Sequence, residues 1–155
     1  MGSEAEARLE KLGLAIPAAP NPVANYVGYL VVGDLVFVSG QLAKGGDGSI
    51  VTGRLGDGLS VEAGQAAARL CALNLLAQAS AAAGTLDHLR LIRLNGFVNA
   101  TPEFTDHPKV INGASDLMVD VLGDKGRHTR VAVGVSSLPM GSAVEVDAIF
   151  QIERK

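Results

Sequence analysis

Between Ala143 and Ile152 the chain alternates without a break. Val144, Val146, Ala148, Phe150 and Ile152 fall on one side of an extended segment, and Glu145 and Asp147 share the other. Successive side chains of a strand point to opposite faces, so this segment requires a sheet that is dry on one face. Something apolar has to lie there, and two stretches supply it. Ser60 is placed to cap a helix, with Glu62 in its first turn and Gly84 as its stop. Between them runs an alanine-rich segment carrying Leu70, Leu73 and Ala77, with Cys71, Leu75 and Leu76 alongside, a wide apolar face suited to covering a sheet. The second helix runs from Pro108 to Leu122. Its apolar residues Val110, Ala114, Leu117, Met118, Val121 and Leu122 recur at three-and-four spacing, and Gly123 ends it.

Further strands surround these helices. Tyr26–Val32 and Leu35–Ser39 are rich in Val, Tyr and Phe and are joined by Gly33-Asp34, a two-residue hairpin turn. Leu89–Asn99 is extended. In Arg130–Ser137, Val131, Val133 and Val135 share one face, and Arg130, Ala132 and Gly134 share the other. Leu138-Pro139-Met140-Gly141 then reads as a hairpin to the final strand. The order predicts an α+β fold, with two helices packed on one face of a mixed sheet. Ahead of it, Glu4–Leu14 has the pattern of a short amphipathic helix, and prolines 17, 20 and 22 hold the next stretch extended. Residues 1–23 are therefore read as a helical extension and linker, and residues 24–155 as a single domain, in keeping with a length of 155 residues.

Several function classes find no support. A net charge of −3 gives no basis for attracting nucleic acid or an anionic membrane. No apolar run is expected to reach membrane-span length, and residues 1–14 lack the apolar centre of a secretory signal. Cys71 is the single cysteine, which suits a reducing, cytoplasmic setting and reads as a buried structural thiol. Glycines 45, 46, 48, 53 and 56 precede a sixth at 58, but without the register or the Lys-Ser/Thr of a phosphate loop. They read as a solvated loop with one short strand near Ile50-Val51. His88, His107 and His128 have no paired ligand spacing, so no metal is expected, and His128 reads as part of an exposed turn.

Two residues offer chemistry. Arg130 opens a strand whose same-face neighbours are small. Its planar fork suits either a bound carboxylate or a surface ion pair. Glu145 is either an acid that orients water or accepts a proton, or simply the polar half of an alternating strand.

Four separated segments resemble the RidA (YjgF) family: Asn25-Tyr26-Val27, Val38-Ser39-Gly40-Gln41, Asn112, and Arg130 followed by Leu138-Pro139 and Ala143-Val144-Glu145-Val146-Asp147-Ala148-Ile149. The last is the most specific, with fifteen positions from Arg130 to Glu145, and Tyr26 stands seven positions before Gly33. The resemblance runs from residue 24 to the C-terminus. It implies a chorismate-mutase-like fold, three subunits packing their sheets together, and clefts between neighbours. In members of the deaminating type an arginine holds the carboxylate of a 2-imino acid while a glutamate positions water, with no metal or organic cofactor. Carried over, Arg130 anchors the carboxylate, Glu145 orients the water, and Tyr26, Ser39, Gly40 and Asn112 line the cleft.

The chain departs from that pattern in two places. Phe104–Asn112 is longer by about four residues, and Ala132 replaces a cysteine two positions after the arginine. The resemblance thus implies an enamine/imine deaminase acting on a small carboxylated imine and releasing a 2-oxo acid. A non-catalytic module that binds small carboxylic acids is the alternative. The family's other name, L-PSP endoribonuclease, adds a third reading, which the charge and the 4% aromatic content do not favour. The apolar side of the last strand, more surface than two helices are expected to cover, predicts a homotrimer.

Overall fold

The computed structural model describes residues 2–19 and 24–154. In chain order the elements are α1 (Glu4–Lys11), β1 (Tyr29–Val32), β2 (Leu35–Leu42), β3 (Arg54–Leu55), β4 (Gly58–Leu59), α2 (Val61–Ala83), β5 (Leu89–Asn99), α3 (His107–Leu122), β6 (Thr129–Val135) and β7 (Val144–Ile152). Five strands form one sheet in the order β1-β2-β7-β5-β6, and β3 and β4 form a separate parallel pair. All neighbours in the large sheet run antiparallel except β5 and β6, which are parallel. Parallel strands need a crossover, and α3 provides it.

The alternation of β7 has the expected result. Val144, Val146 and Phe150 are fully buried, and Ala148 and Ile152 retain only 2% exposure. The helices cover them. Ser60 Oγ accepts from the Ala63 N–H at 3.1 Å to start α2, and Gly84 ends it at φ 84°, a left-handed cap that glycine adopts without strain. Gly64 and Gly113 let α2 and α3 approach closely: a Cβ on Gly113 would press into the Gln65 backbone. α1 is docked on the body. Asp87 accepts from Ser3 Oγ and from the Glu4 and Ala5 N–H groups, Ala5 and Leu9 are buried, and Arg8 Nη1 donates to Val121 O.

Some expectations need correction. β6 and β7 are not a hairpin, because β5 lies between them. The crossover through α3 sets β6 beside β5, and residues 136–143 then carry the chain to the far edge of β5. β1 begins at Tyr29, so Tyr26 stands in the bend before it. Around Ile50 there are only isolated pairings, Lys44 with Ile50 and Thr52 with Ser142. α2, at 23 residues, is long and apolar enough to span a membrane, yet most of it is buried inside this protein. The apolar face left open is not that of β7, which the helices cover completely. It is the opposite sheet face, where Leu30 and Val32 are each 57% exposed with Phe37 beside them, and Val131 and Val133 are exposed at the other edge of the same face. The prolines at 20 and 22 and the boundary near residue 23 lie outside the described residues.

Candidate functional site

The alternation of β6 turns Arg130, Ala132 and Gly134 toward the helices. The guanidinium of Arg130 lies along α3, where Nη1 donates to Ser115 Oγ at 3.0 Å and Nη2 to Pro108 O at 3.3 Å. Pro108, Asn112 and Ser115 are spaced by four and three, so Asn112 shares the helix face along which Arg130 runs. Gly134 leaves room for the His107 ring; a Cβ there would overlap Nε2.

Glu145 belongs to the other face. On β7 the even-numbered residues are buried under the helices, so Glu145 and Asp147 point to the open side. The register fixes the separation. Leu94 pairs with both Arg130 and Ala148, whereas Phe97 pairs with both Val133 and Glu145. Arg130 and Glu145 are therefore three residues out of step, with β5 between them, on opposite faces of one sheet. Strand rise and spacing put their backbones about 14 Å apart.

Around Glu145 gather the other expected residues. β2 has an irregularity between Val38 and Gln41, and Gly40 within it abuts the Glu145 carboxylate so closely that any Cβ would collide with Oε2. Ser39 Oγ donates to Val27 O at 2.6 Å, and its N–H to Gly28 O, tying the Tyr26 bend to β2. A shallow cleft of ≈ 430 Å³ is lined by Tyr26, Leu30, Phe37 and Ser39 among others. One chain thus sets Gly40 against Glu145, with Ser39 next to Gly40 and bonded back to the Tyr26 bend, and separately runs Arg130 along the α3 face that carries Asn112. It does not bring the two groups to each other.

The two acids differ. Asp147 accepts from Asn95 Nδ2 at 2.7 Å, and Asn95 Oδ1 accepts from Arg93 Nε, so Asp147 ends a chain of hydrogen bonds. The Glu145 carboxyl is held above its ordinary range, first by burial and then by the charge of Asp147. His128, expected in an exposed turn, is half-buried and bonded at both ring nitrogens, to Ser115 Oγ at 2.9 Å and Gly126 O at 2.6 Å. Burial pushes its pKa down, the Gly126 carbonyl opposes this, and the Arg130 cation lowers it further. Sequence reasoning missed Ser115 altogether, although its spacing from Asn112 was available. It also missed a cavity of ≈ 300 Å³ bordered by Arg54, His107, Gly134 and Ser136, signalled only by a glycine in a strand of valines.

Among the described residues no cluster of three or more His, Cys, Asp or Glu is placed to hold a metal. A family model described as "YjgF/chorismate mutase-like, putative endoribonuclease" matches residues 6–151, beginning inside α1. Protein TCP17 of Trypanosoma cruzi is 51% identical over 148 residues, 94% of this chain and 92% of that protein. The crystal structure of Atu1372, a protein of unknown function from Agrobacterium tumefaciens, is 48% identical with a TM-score of 0.89, covering 97% of this chain and 94% of that one. A "putative endoribonuclease" from Shewanella oneidensis is 34% identical with a TM-score of 0.92, covering 97% and 100%. RidA from an Antarctic Psychrobacter is more distant, at 27% identity and a TM-score of 0.63, covering 86% and 94%.

Proposed function

This chain belongs to the YjgF/chorismate-mutase-like family, and from that premise we propose that it hydrolyses small 2-imino acids to 2-oxo acids and ammonia at a site shared between subunits of a homotrimer. The observation that carries this reading is the placement of Arg130 and Glu145 on opposite faces of the sheet. A small substrate cannot touch both within one chain, but it can when the helix-side edge of one subunit meets the open face of the next. The exposed Leu30, Val32, Phe37, Val131 and Val133 supply the apolar surface for that contact.

In the proposed cleft Arg130 grips the substrate carboxylate, using N–H donors not committed to α3, with Asn112 beside it. The neighbouring subunit contributes Tyr26, Ser39, Gly40 and Glu145. Ionised Glu145 takes a proton from water as the oxygen attacks the imine carbon. The C=N π pair moves to nitrogen, giving a carbinolamine. For the protonated imine, Glu145 then returns that proton to the carbinolamine nitrogen, the C–N bond breaks with its electron pair leaving on ammonia, and the hydroxyl oxygen closes the C=O bond as its proton passes back to Glu145. A carboxyl held above its ordinary range suits this exchange, because the proton must be both accepted and released. No cofactor is called for. The lone, buried Cys71 donates to Val144 O, and an unbridged thiol fits a cytoplasmic home.

The test generates varied imines with an amino-acid oxidase and follows their decay with and without the protein. Faster release of 2-oxo acid and ammonia is expected. An inactive protein that still binds pyruvate or 2-oxobutyrate would favour the binding-module reading. RNA cleavage by highly purified protein would favour the endoribonuclease of the family description, for which a net charge of −3 offers no general attraction.

A further inference from the structure

Arg130 does not stand alone against α3. Its Nη1 donates to Ser115 Oγ at 3.0 Å, and that same oxygen lies 2.9 Å from His128 Nε2. The other ring nitrogen, Nδ1, lies 2.6 Å from Gly126 O. A carbonyl oxygen only accepts, so Nδ1 carries the proton. In the neutral ring Nε2 is then an acceptor, and the Ser115 hydroxyl donates to it. With its hydrogen directed at His128, Ser115 turns its lone pairs toward the guanidinium. The sense of every bond in the chain Arg130 to Ser115 to His128 to Gly126 follows from the first carbonyl. Gly126 itself is rigidly placed: it is buried, and a Cβ there would overlap the Met118 and Val119 backbone of α3.

We propose that Ser115 and His128 are positioning residues for the carboxylate anchor, with neutral, Nδ1-protonated His128 orienting the Ser115 hydroxyl so that its oxygen fixes the Arg130 guanidinium for a ligand. Two of the five guanidinium N–H groups are spent on α3, one on Ser115 and one on Pro108 O. Three remain, enough for a bidentate carboxylate. An arginine free to rotate would lose side-chain entropy on each binding event, whereas one already clamped loses little. The inference rests on the reading of Arg130 as the anchor, and it adds two residues that touch no substrate themselves.

The experiment separates the inference from that reading. Nitrogen-15 NMR of the ligand-free protein at neutral pH reports both the His128 tautomer and the mobility of the Arg130 guanidinium, with no ligand involved. Nδ1-protonated His128 and restricted Nη signals are expected, the latter lost in Ser115→Ala and His128→Ala. Calorimetry with pyruvate then measures the consequence. Both alanine variants are expected to bind about tenfold more weakly than wild type while remaining folded. Ser115→Thr keeps the hydroxyl, and His128→Gln places an amide oxygen near the position of Nε2, so both are expected to recover most of the affinity. An Nε2-protonated His128, or alanine variants that bind pyruvate as tightly as wild type while Arg130→Lys does not, would overturn the positioning role and leave the anchor standing. Equal binding by Arg130→Lys would remove the anchor itself.

Discussion

At Glu145 two features meet: a carboxylate confined by Gly40 and burial, and a second acid two residues away that is already engaged. Asp147 terminates the Arg93–Asn95 chain, so its charge is held for structure. Glu145→Gln is therefore expected to lower imine turnover by roughly a hundredfold to ten-thousandfold with little effect on binding of a 2-oxo acid. Asp147→Asn should be far milder, which steady-state kinetics on the two variants will measure. The pH dependence follows from the same carboxyl. With its pKa raised above the ordinary 4.5, turnover should fall on the acid side at a pH higher than a free glutamate would give, and this limb should vanish in the residual activity of Glu145→Gln. Stability has the opposite sense. The folded protein binds that proton more tightly than the unfolded chain, so stability is greatest below the unfolded pKa and declines as pH rises through the raised one. Glu145→Gln should thus melt higher than wild type near neutral pH, the difference closing in acid. The facing of Glu145 was legible from alternation alone. The partners of Arg130 were not, because Ser115 and His128 reach it only through the packing of α3 on β6.

At the scale of elements, local signals were readable and neighbour relations were not. Ser60 and Gly84 mark the ends of α2 by the hydrogen bond and the left-handed turn that they make, and both are properties of a few adjacent residues. The full extent of β5 followed similarly from composition. The order of strands is a different kind of fact. Leu138–Gly141 resembles a hairpin loop locally, yet the crossover through α3 had already set β6 beside β5, leaving β7 to pair on the other edge. The same packing depends on Gly113. A methyl there meets the Gln65 carbonyl, which belongs to a helix backbone and cannot swing aside. Gly113→Ala is accordingly expected to cost about 1–3 kcal/mol, seen as a melting temperature lower by several degrees. Since α3 also carries Pro108 and Ser115, the variant should weaken carboxylate binding as well. Unchanged melting would mean that the helices are free to separate.

For the whole molecule, the sheet with both helices on one side leaves Leu30, Val32, Phe37, Val131 and Val133 bare on the other. The sequence expectation of a trimer was drawn from the wrong face of β7, whose apolar side the helices fully bury. The exposed face now carries the proposal. Light scattering in dilute solution should give three times the monomer mass, and Val133→Asp should dissociate the assembly by placing a charge in that contact. The most direct test uses two variants, each expected to keep no more than about a hundredth of wild-type turnover by itself. Arg130→Lys loses the carboxylate fork, and Glu145→Gln loses the proton acceptor. If every site takes its arginine from one subunit and its glutamate from the next, equal co-assembly of the two chains restores intact sites wherever an Arg130-bearing subunit meets a Glu145-bearing one. Random mixing then returns about a quarter of wild-type imine hydrolysis. Mixed assemblies no more active than the separate variants would contradict the shared site.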